Sequence, residues 1–150
     1  MNNSPFARLL TLATVFAISA SAAVAGANWE TNANAATKAA KESDKPLLIE
    51  FTGSDWCPPC MMMKKQVFKT DAFSKFAEDN LVLLELDFPR SKAQPEELKK
   101  QNEELAKQYK VEAFPTLILI SPKGKELARN VGFLPGGPDA FIAWVKNATK

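Results

Sequence analysis

Leu47-Leu48-Ile49-Glu50-Phe51-Thr52-Gly53-Ser54-Asp55-Trp56-Cys57-Pro58-Pro59-Cys60 is the stretch that decides how this 150-residue chain folds. Leu47 to Phe51 is a short apolar run after Lys45-Pro46, and it reads as a buried strand interrupted by one acid, Glu50. Thr52-Gly53-Ser54-Asp55 has the composition of a turn. Beyond Cys60, residues Met61 to Ala77 contain neither Pro nor Gly, and Met63, Val67, Phe73, Phe76 and Ala77 supply an apolar face. A helix is expected there, bent near Thr70-Asp71, with Asp71 capping its second half. The two cysteines therefore stand where a strand turns into a helix.

Cys57 and Cys60 are the only cysteines in the chain. A Cys-x-x-Cys pair in this context is a strong redox signal. The first sulfur meets the positive end of the helix dipole and free backbone N–H groups, which favour the nucleophilic thiolate. The second lies one turn on, within reach of a mixed disulfide formed by the first. A bridge over two residues closes too small a loop to stabilise the fold much by restricting the unfolded chain, so a purely structural disulfide is disfavoured.

The intervening prolines bear on direction. Neither Pro58 nor Pro59 has a backbone N–H, so hydrogen bonds to a Cys57 thiolate must come mainly from Cys60 and Met61. The chain also has no histidine. A weakly stabilised thiolate makes the disulfide less oxidising, which points to a reductase or isomerase rather than a strong oxidase.

Outward from this junction the chain alternates strand and helix. Asn32 to Glu42 is Ala-, Lys- and Asn-rich and reads as an amphipathic helix with Trp29 anchoring its start. Leu81 to Phe88 is a nearly continuous apolar strand, expected to be buried on both faces. Pro95 with Glu96 and Glu97 opens another helix, which keeps Leu98, Leu105 and Tyr109 on one face. Thr116 to Ile120 is a third strand, Ser121-Pro122-Lys123-Gly124 a turn, and Lys125 to Val131 an antiparallel edge strand. A last helix carries Phe141, Trp144, Val145 and Ala148, with Phe141 and Trp144 as core packing. The pattern predicts an α/β three-layer domain.

The first 25 residues stand apart. Arg8 is their only charge, Leu9 to Ala25 is uncharged, and Ala23-Val24-Ala25 or Ala25-Gly26-Ala27 forms a small-x-small cleavage pattern. This is the pattern of a cleaved export signal, with cleavage after Ala25 or Ala27. The apolar run is short for a retained membrane anchor, and its second half is rich in Ala and Ser. Residues 26–150 then form one domain, placed in the periplasm or outside the cell. Loss of Arg8 leaves 18 basic against 17 acidic residues, a net charge of +1. Such a surface, without a basic stripe, does not suit nucleic acid.

Phe51-Thr-Gly-Ser-Asp-Trp-Cys-Pro-Pro-Cys60 resembles the active-site segment of secreted bacterial members of the thioredoxin-like superfamily. Val111-Glu-Ala-Phe-Pro-Thr116 resembles that family's cis-proline loop, and the likeness runs from about Trp29 to Lys146. The resemblance implies a thioredoxin fold: a central mixed β-sheet with helices on both faces and an N-terminal helix before the core. It implies a thiol–disulfide oxidoreductase that exchanges disulfides with exported proteins through Cys57 and Cys60. An upstream thiol donor, a monomeric state and no cofactor or metal go with it. Trp56 would line the rim where substrate docks, Phe114 would pair its backbone with a substrate strand, and Pro115 would be the cis-proline. From the residues alone, Pro115 equally fits a trans proline opening a strand.

A lone acid in an apolar strand needs a reason, and the resemblance supplies one. Glu50 occupies a place similar to that of the buried acid which relays the proton of the second cysteine. Its spacing to Cys57 is one residue longer than in thioredoxin itself. Where the family often has a lysine on the neighbouring strand, this chain has Glu85. Either Glu85 faces solvent or the two carboxyls are close, in which case one keeps its proton near neutrality.

A reading from a different class rests on Met61-Met62-Met63. Thiolates and thioethers are soft ligands for Cu(I), so Cys57, Cys60 and these methionines outline a copper-binding module or copper chaperone. Against it, adjacent residues on a helix point in different directions, and methionine is common core filler. Zinc lacks imidazole ligands here.

Overall fold

A computed structural model describes residues Gly26–Lys150; the export-signal reading of residues 1–25 lies outside them. The elements run β1 (Trp29–Glu30), α1 (Ala33–Ser43), β2 (Leu47–Thr52), α2 (Pro58–Met63), a π-helical turn (Lys64–Phe68), α3 (Asp71–Asn80), β3 (Val82–Asp87), α4 (Glu96–Gln108), β4 (Thr116–Ile120), β5 (Glu126–Val131) and α5 (Gly137–Ala148). The strands form one five-stranded sheet in the order β1-β3-β2-β4-β5. β2 pairs parallel with β3 and antiparallel with β4, so the sheet is mixed, and β2 lies at its centre.

Side chains alternate across a strand, and the two faces bury separate cores. Leu47, Ile49 and Phe51 join Leu84, Leu86, Ile118 and Ile120 beneath α1 and α4, with Ala36, Ala40, Leu105 and Tyr109 packed there. Leu48 faces the other way, into a core with Met63, Val67, Phe68, Phe73, Leu83, Leu117, Leu119, Phe141 and Val145. That second core is roofed by α2, the π turn, α3 and α5. By the same alternation Glu50 and Thr52 of β2, and Glu85 and Asp87 of β3, belong to the α2 side of the sheet. The register sets Glu50 directly beside Glu85.

Three local expectations change. Trp29 does not anchor α1: it pairs with Leu83 in the short strand β1, and its ring packs on Phe68 at 5.0 Å and Phe73 at 6.1 Å, in the core opposite α1. A two-residue strand has no periodicity to read. The bend expected near Thr70-Asp71 is present, but the helix does not run as one α-helix up to it. It widens into the π turn and breaks at Lys69-Thr70, and Thr70 rather than Asp71 caps α3, its Oγ1 accepting from the Phe73 N–H at 3.2 Å. β3 is buried at Leu83, Leu84 and Leu86 but only half-buried at Glu85 and Asp87. Among the described residues, no helix is long and apolar enough to cross a membrane.

Candidate active site

The active-site turn is held by polar contacts to the end of β3 and the loop after it. The Ser54 backbone N–H and hydroxyl both donate to the Asp87 carboxylate, at 2.9 and 2.6 Å. Asp55 accepts from the backbone N–H groups of Arg90 and Ser91, at 3.0 and 2.7 Å. These bonds hold its carboxyl below the usual range. Trp56 Nε1 donates to the Phe88 carbonyl at 2.7 Å, and the Arg90 guanidinium lies 3.7 Å above the Trp56 ring. Gly53 is required here, because a Cβ at that position would come within 2.5 Å of the Trp56 ring.

Held in this way, Cys57 becomes the N-cap of α2 and forms a disulfide with Cys60. The Cys60 N–H points at Cys57 Sγ, at 3.3 Å. The Met61 N–H does not join it, since it is bound to the Cys57 carbonyl at 3.1 Å. In the disulfide form, the backbone donor facing the first sulfur is the Cys60 N–H. In this disulfide form Cys57 is 3% exposed and Cys60 1%. Position on the helix end, rather than exposure, distinguishes them.

Phe114 and Pro115 come to the same place from the loop before β4. The Phe114–Pro115 bond is cis. The Phe114 ring meets Trp56 edge-on at 5.7 Å and tilts against Phe88 at 5.1 Å. Trp56, Phe88 and Phe114 thus form an aromatic rim next to the disulfide, with Arg90 over one face.

Glu50 lies 2% exposed on the α2 face of β2, with Glu85 beside it on one strand and Leu117 on the other. Its pKa is pushed from 4.5 to about 8. Burial is the main cause. The Glu85 charge adds to it, and Asp87 adds less, while Lys64 and a hydrogen bond with Thr52 oppose it. Glu85 is half-buried, and Lys64 Nζ meets its Oε2 at 3.2 Å. The two possibilities for Glu85 thus merge: it neighbours Glu50 and also reaches an exposed lysine. A cleft of about 270 Å³ opens alongside, lined by Thr52, Ser54, Cys60, Met61, Lys64, Lys65 and Lys69.

The methionines do not converge. Met63 is fully buried in the core under α2, whereas Met61 and Met62 are 43% and 42% exposed. The geometry gives the copper reading no support. Replacing Met61, Met62 and Met63 together by Leu is expected to leave disulfide exchange within about twofold of the parent. Leu and Met have similar volumes and exchange at small cost in a core. An insulin-reduction assay checks this, and a large loss would give the sulfurs a function.

Sequence reasoning missed Asp55, Asp87, Phe88 and Arg90 as parts of the site, and Asn102 as its brace. Asn102 is buried in α4 and donates to the Asp87 carbonyl at 2.9 Å. Asp55 in a turn was a readable signal, since such residues bind nearby backbone. The others carried none.

A dithiol pair at a helix end, after a buried strand, is the working centre of a thiol–disulfide oxidoreductase. Residues 33–149 match the family model described as a thioredoxin-like domain, and the chain belongs to that family. It is 44% identical over 128 residues to "Disulfide bond reductase DsbH" of Chlamydia pneumoniae, covering 85% of this chain and 76% of that protein. The solved structure of "DsbH Oxidoreductase" superposes with a TM-score of 0.77 at 40% identity, over 94% of both chains. A thioredoxin from Thermus thermophilus, at 19% identity and a TM-score of 0.62, shares the fold. The chain is thus an enzyme of thiol–disulfide exchange, and the copper alternative finds no support among these relatives.

Proposed function

We propose that the chain is a reductase of disulfides in exported proteins, working as a monomer in the periplasm or outside the cell. Residues 1–25 are its cleaved export signal and residues 26–150 its single domain. The observation that carries the direction is the Pro58-Pro59 pair, which supplies no N–H to Cys57 Sγ, in a chain without histidine. A thiolate with so little support is a strong donor of electrons when its disulfide forms. The similarity to a protein named a disulfide bond reductase agrees with this.

In this reading the Cys57 thiolate attacks one sulfur of a substrate disulfide and expels the other as a thiolate. The Cys60 thiol then gives its proton to the Glu50 carboxylate and attacks Cys57 Sγ. The Cys57–Cys60 disulfide forms, and the second substrate thiolate leaves. The substrate has gained two electrons and the enzyme has lost them. A dithiol donor upstream returns the pair to its reduced form by the reverse steps, with Glu50 returning the proton to Cys60. Trp56 and Phe114 supply the docking rim, and the backbone next to Pro115 pairs with the substrate strand.

The test is the equilibrium potential of the Cys57–Cys60 pair against glutathione. A value nearer the roughly −270 mV of a thioredoxin than the roughly −120 mV of a strong oxidant is expected. A potential at the oxidising end would overturn the reductase direction and show that other charges govern the thiolate.

A further inference from the structure

The Lys64–Glu85 ion pair has no role in the exchange chemistry as described so far. Its placement is specific. Lys64 opens the π turn four residues after Cys60, which puts both on one side of the helix, and both line the cleft beside the disulfide. Its Nζ bonds Glu85 Oε2 at 3.2 Å, and Glu85 is the in-register neighbour of Glu50. β2, β3 and the π turn therefore bring two carboxyls and one ammonium together on the α2 side of the sheet.

We propose that Lys64 and Glu85 are positioning residues that set, with opposite sign, the protonation of Glu50 and through it the rate at which Cys60 resolves the mixed disulfide. The inference rests on the reading of Glu50 as the proton acceptor. Two carboxylates side by side cannot both ionise cheaply, so Glu85 holds the proton on Glu50. Lys64 answers that charge from the helix and keeps Glu50 able to lose it. The remaining groups on this side are few. Asp87 on β3 acts in the same sense as Glu85, Thr52 on β2 hydrogen-bonds the ionised form, and β4 offers only Leu117. Lys65 and Lys69 line the outer cleft. The directions of the Lys64 and Glu85 effects on Glu50 agree with this arrangement.

The test uses Lys64→Met, Lys64→Arg, Glu85→Gln and Glu50→Gln in the full chain. Lys64 is exposed, so its replacement should not disturb folding. Two readouts are taken across pH 6 to 10 (roughly the range where a shifted carboxyl titrates). One is the carboxyl carbon shift of Glu50 in protein labelled with ¹³C-glutamate. The other is the resolving rate in single-turnover exchange with a peptide disulfide. Lys64→Met should raise the Glu50 midpoint by about half a pH unit or more, and Glu85→Gln should lower it comparably. Lys64→Arg should keep it with the parent, and the resolving rate should follow each shift. An unmoved carboxyl titration in Lys64→Met and Glu85→Gln overturns the inference. A titration that moves while the resolving rate keeps its pH profile, in these variants and in Glu50→Gln, overturns instead the reading of Glu50 as acceptor, and the kinetic half of the proposal with it.

Discussion

Cys57→Ser should lose disulfide reductase activity by on the order of a thousandfold or more, while Cys60→Ser should hold its partners as mixed disulfides. The loss is large because no second sulfur stands at the helix end. Cys57 alone caps α2 and receives the Cys60 N–H, and removal of a sole nucleophile takes away the covalent route altogether. Cys60→Ser keeps the attack and removes the resolution, so the mixed disulfide on Cys57 persists. The measurement is non-reducing electrophoresis of exported-protein extracts incubated with each reduced variant, paired with an insulin-reduction assay. Equal trapping by both variants would mean that either sulfur can attack. That outcome is a sharp test, since both residues are almost fully buried in the disulfide form and exposure does not separate them.

Glu50→Gln should slow the resolving step by about ten- to a hundredfold near pH 8 while leaving the first attack nearly unchanged. The same variant should change the pH dependence of stability. In the folded protein the Glu50 pKa is raised from 4.5 to about 8, chiefly by burial and then by Glu85. A raised acid binds its proton more tightly in the folded state than in the unfolded state. Its contribution is therefore most favourable below pH 4.5 and is lost as pH rises through about 8. The loss runs at about 1.4 kcal/mol per pH unit across that window, on the order of 5 kcal/mol altogether. Gln does not titrate, so its stability relative to the parent should improve from pH 5 to about pH 8 and then level off, starting from a deficit set by how well the buried amide is hydrogen-bonded. Urea denaturation of the oxidised proteins at both pH values measures the change. A gap that is the same at pH 5 and pH 9 would mean that Glu50 ionises normally in the fold.

Much of this site could be read along the chain because its signals are local. The apolar run Leu47–Phe51, the turn at Gly53 and the Pro-free stretch after Cys60 place a dithiol on a strand-to-helix junction by composition and periodicity alone. Glu50 is visible for the same reason, as one acid in an apolar strand. The family resemblance added Trp56, Phe114 and Pro115, and the fold sets the Phe114 ring against Trp56, with the Phe114–Pro115 bond cis.

What the chain does not spell out is anything that depends on two distant segments meeting. β1 escapes notice because a two-residue strand exists only through its pairing with β3. The bonds from Asp55 to Arg90 and from Ser54 to Asp87 link residues more than 30 apart, and no local pattern encodes them. The bend near Thr70 is legible, but the π turn over Lys64–Phe68 that precedes it is not, because it is defined by backbone bonds that no side-chain pattern marks.

Sequence by itself determined the chemistry: the two sulfurs that can form a disulfide, the one acid in the apolar strand before them, and the absence of any imidazole to stabilise a thiolate. Tertiary structure alone decided how strongly each is tuned. Whether Glu85 faced water or Glu50 depended on strand register and pleat, and the register sets the two acids side by side. Whether their repulsion stood unanswered depended on where the π turn carried Lys64. Charge interactions depend on distance and on the depth of burial, and both are properties of the packed sheet and helix rather than of the order of residues along the chain.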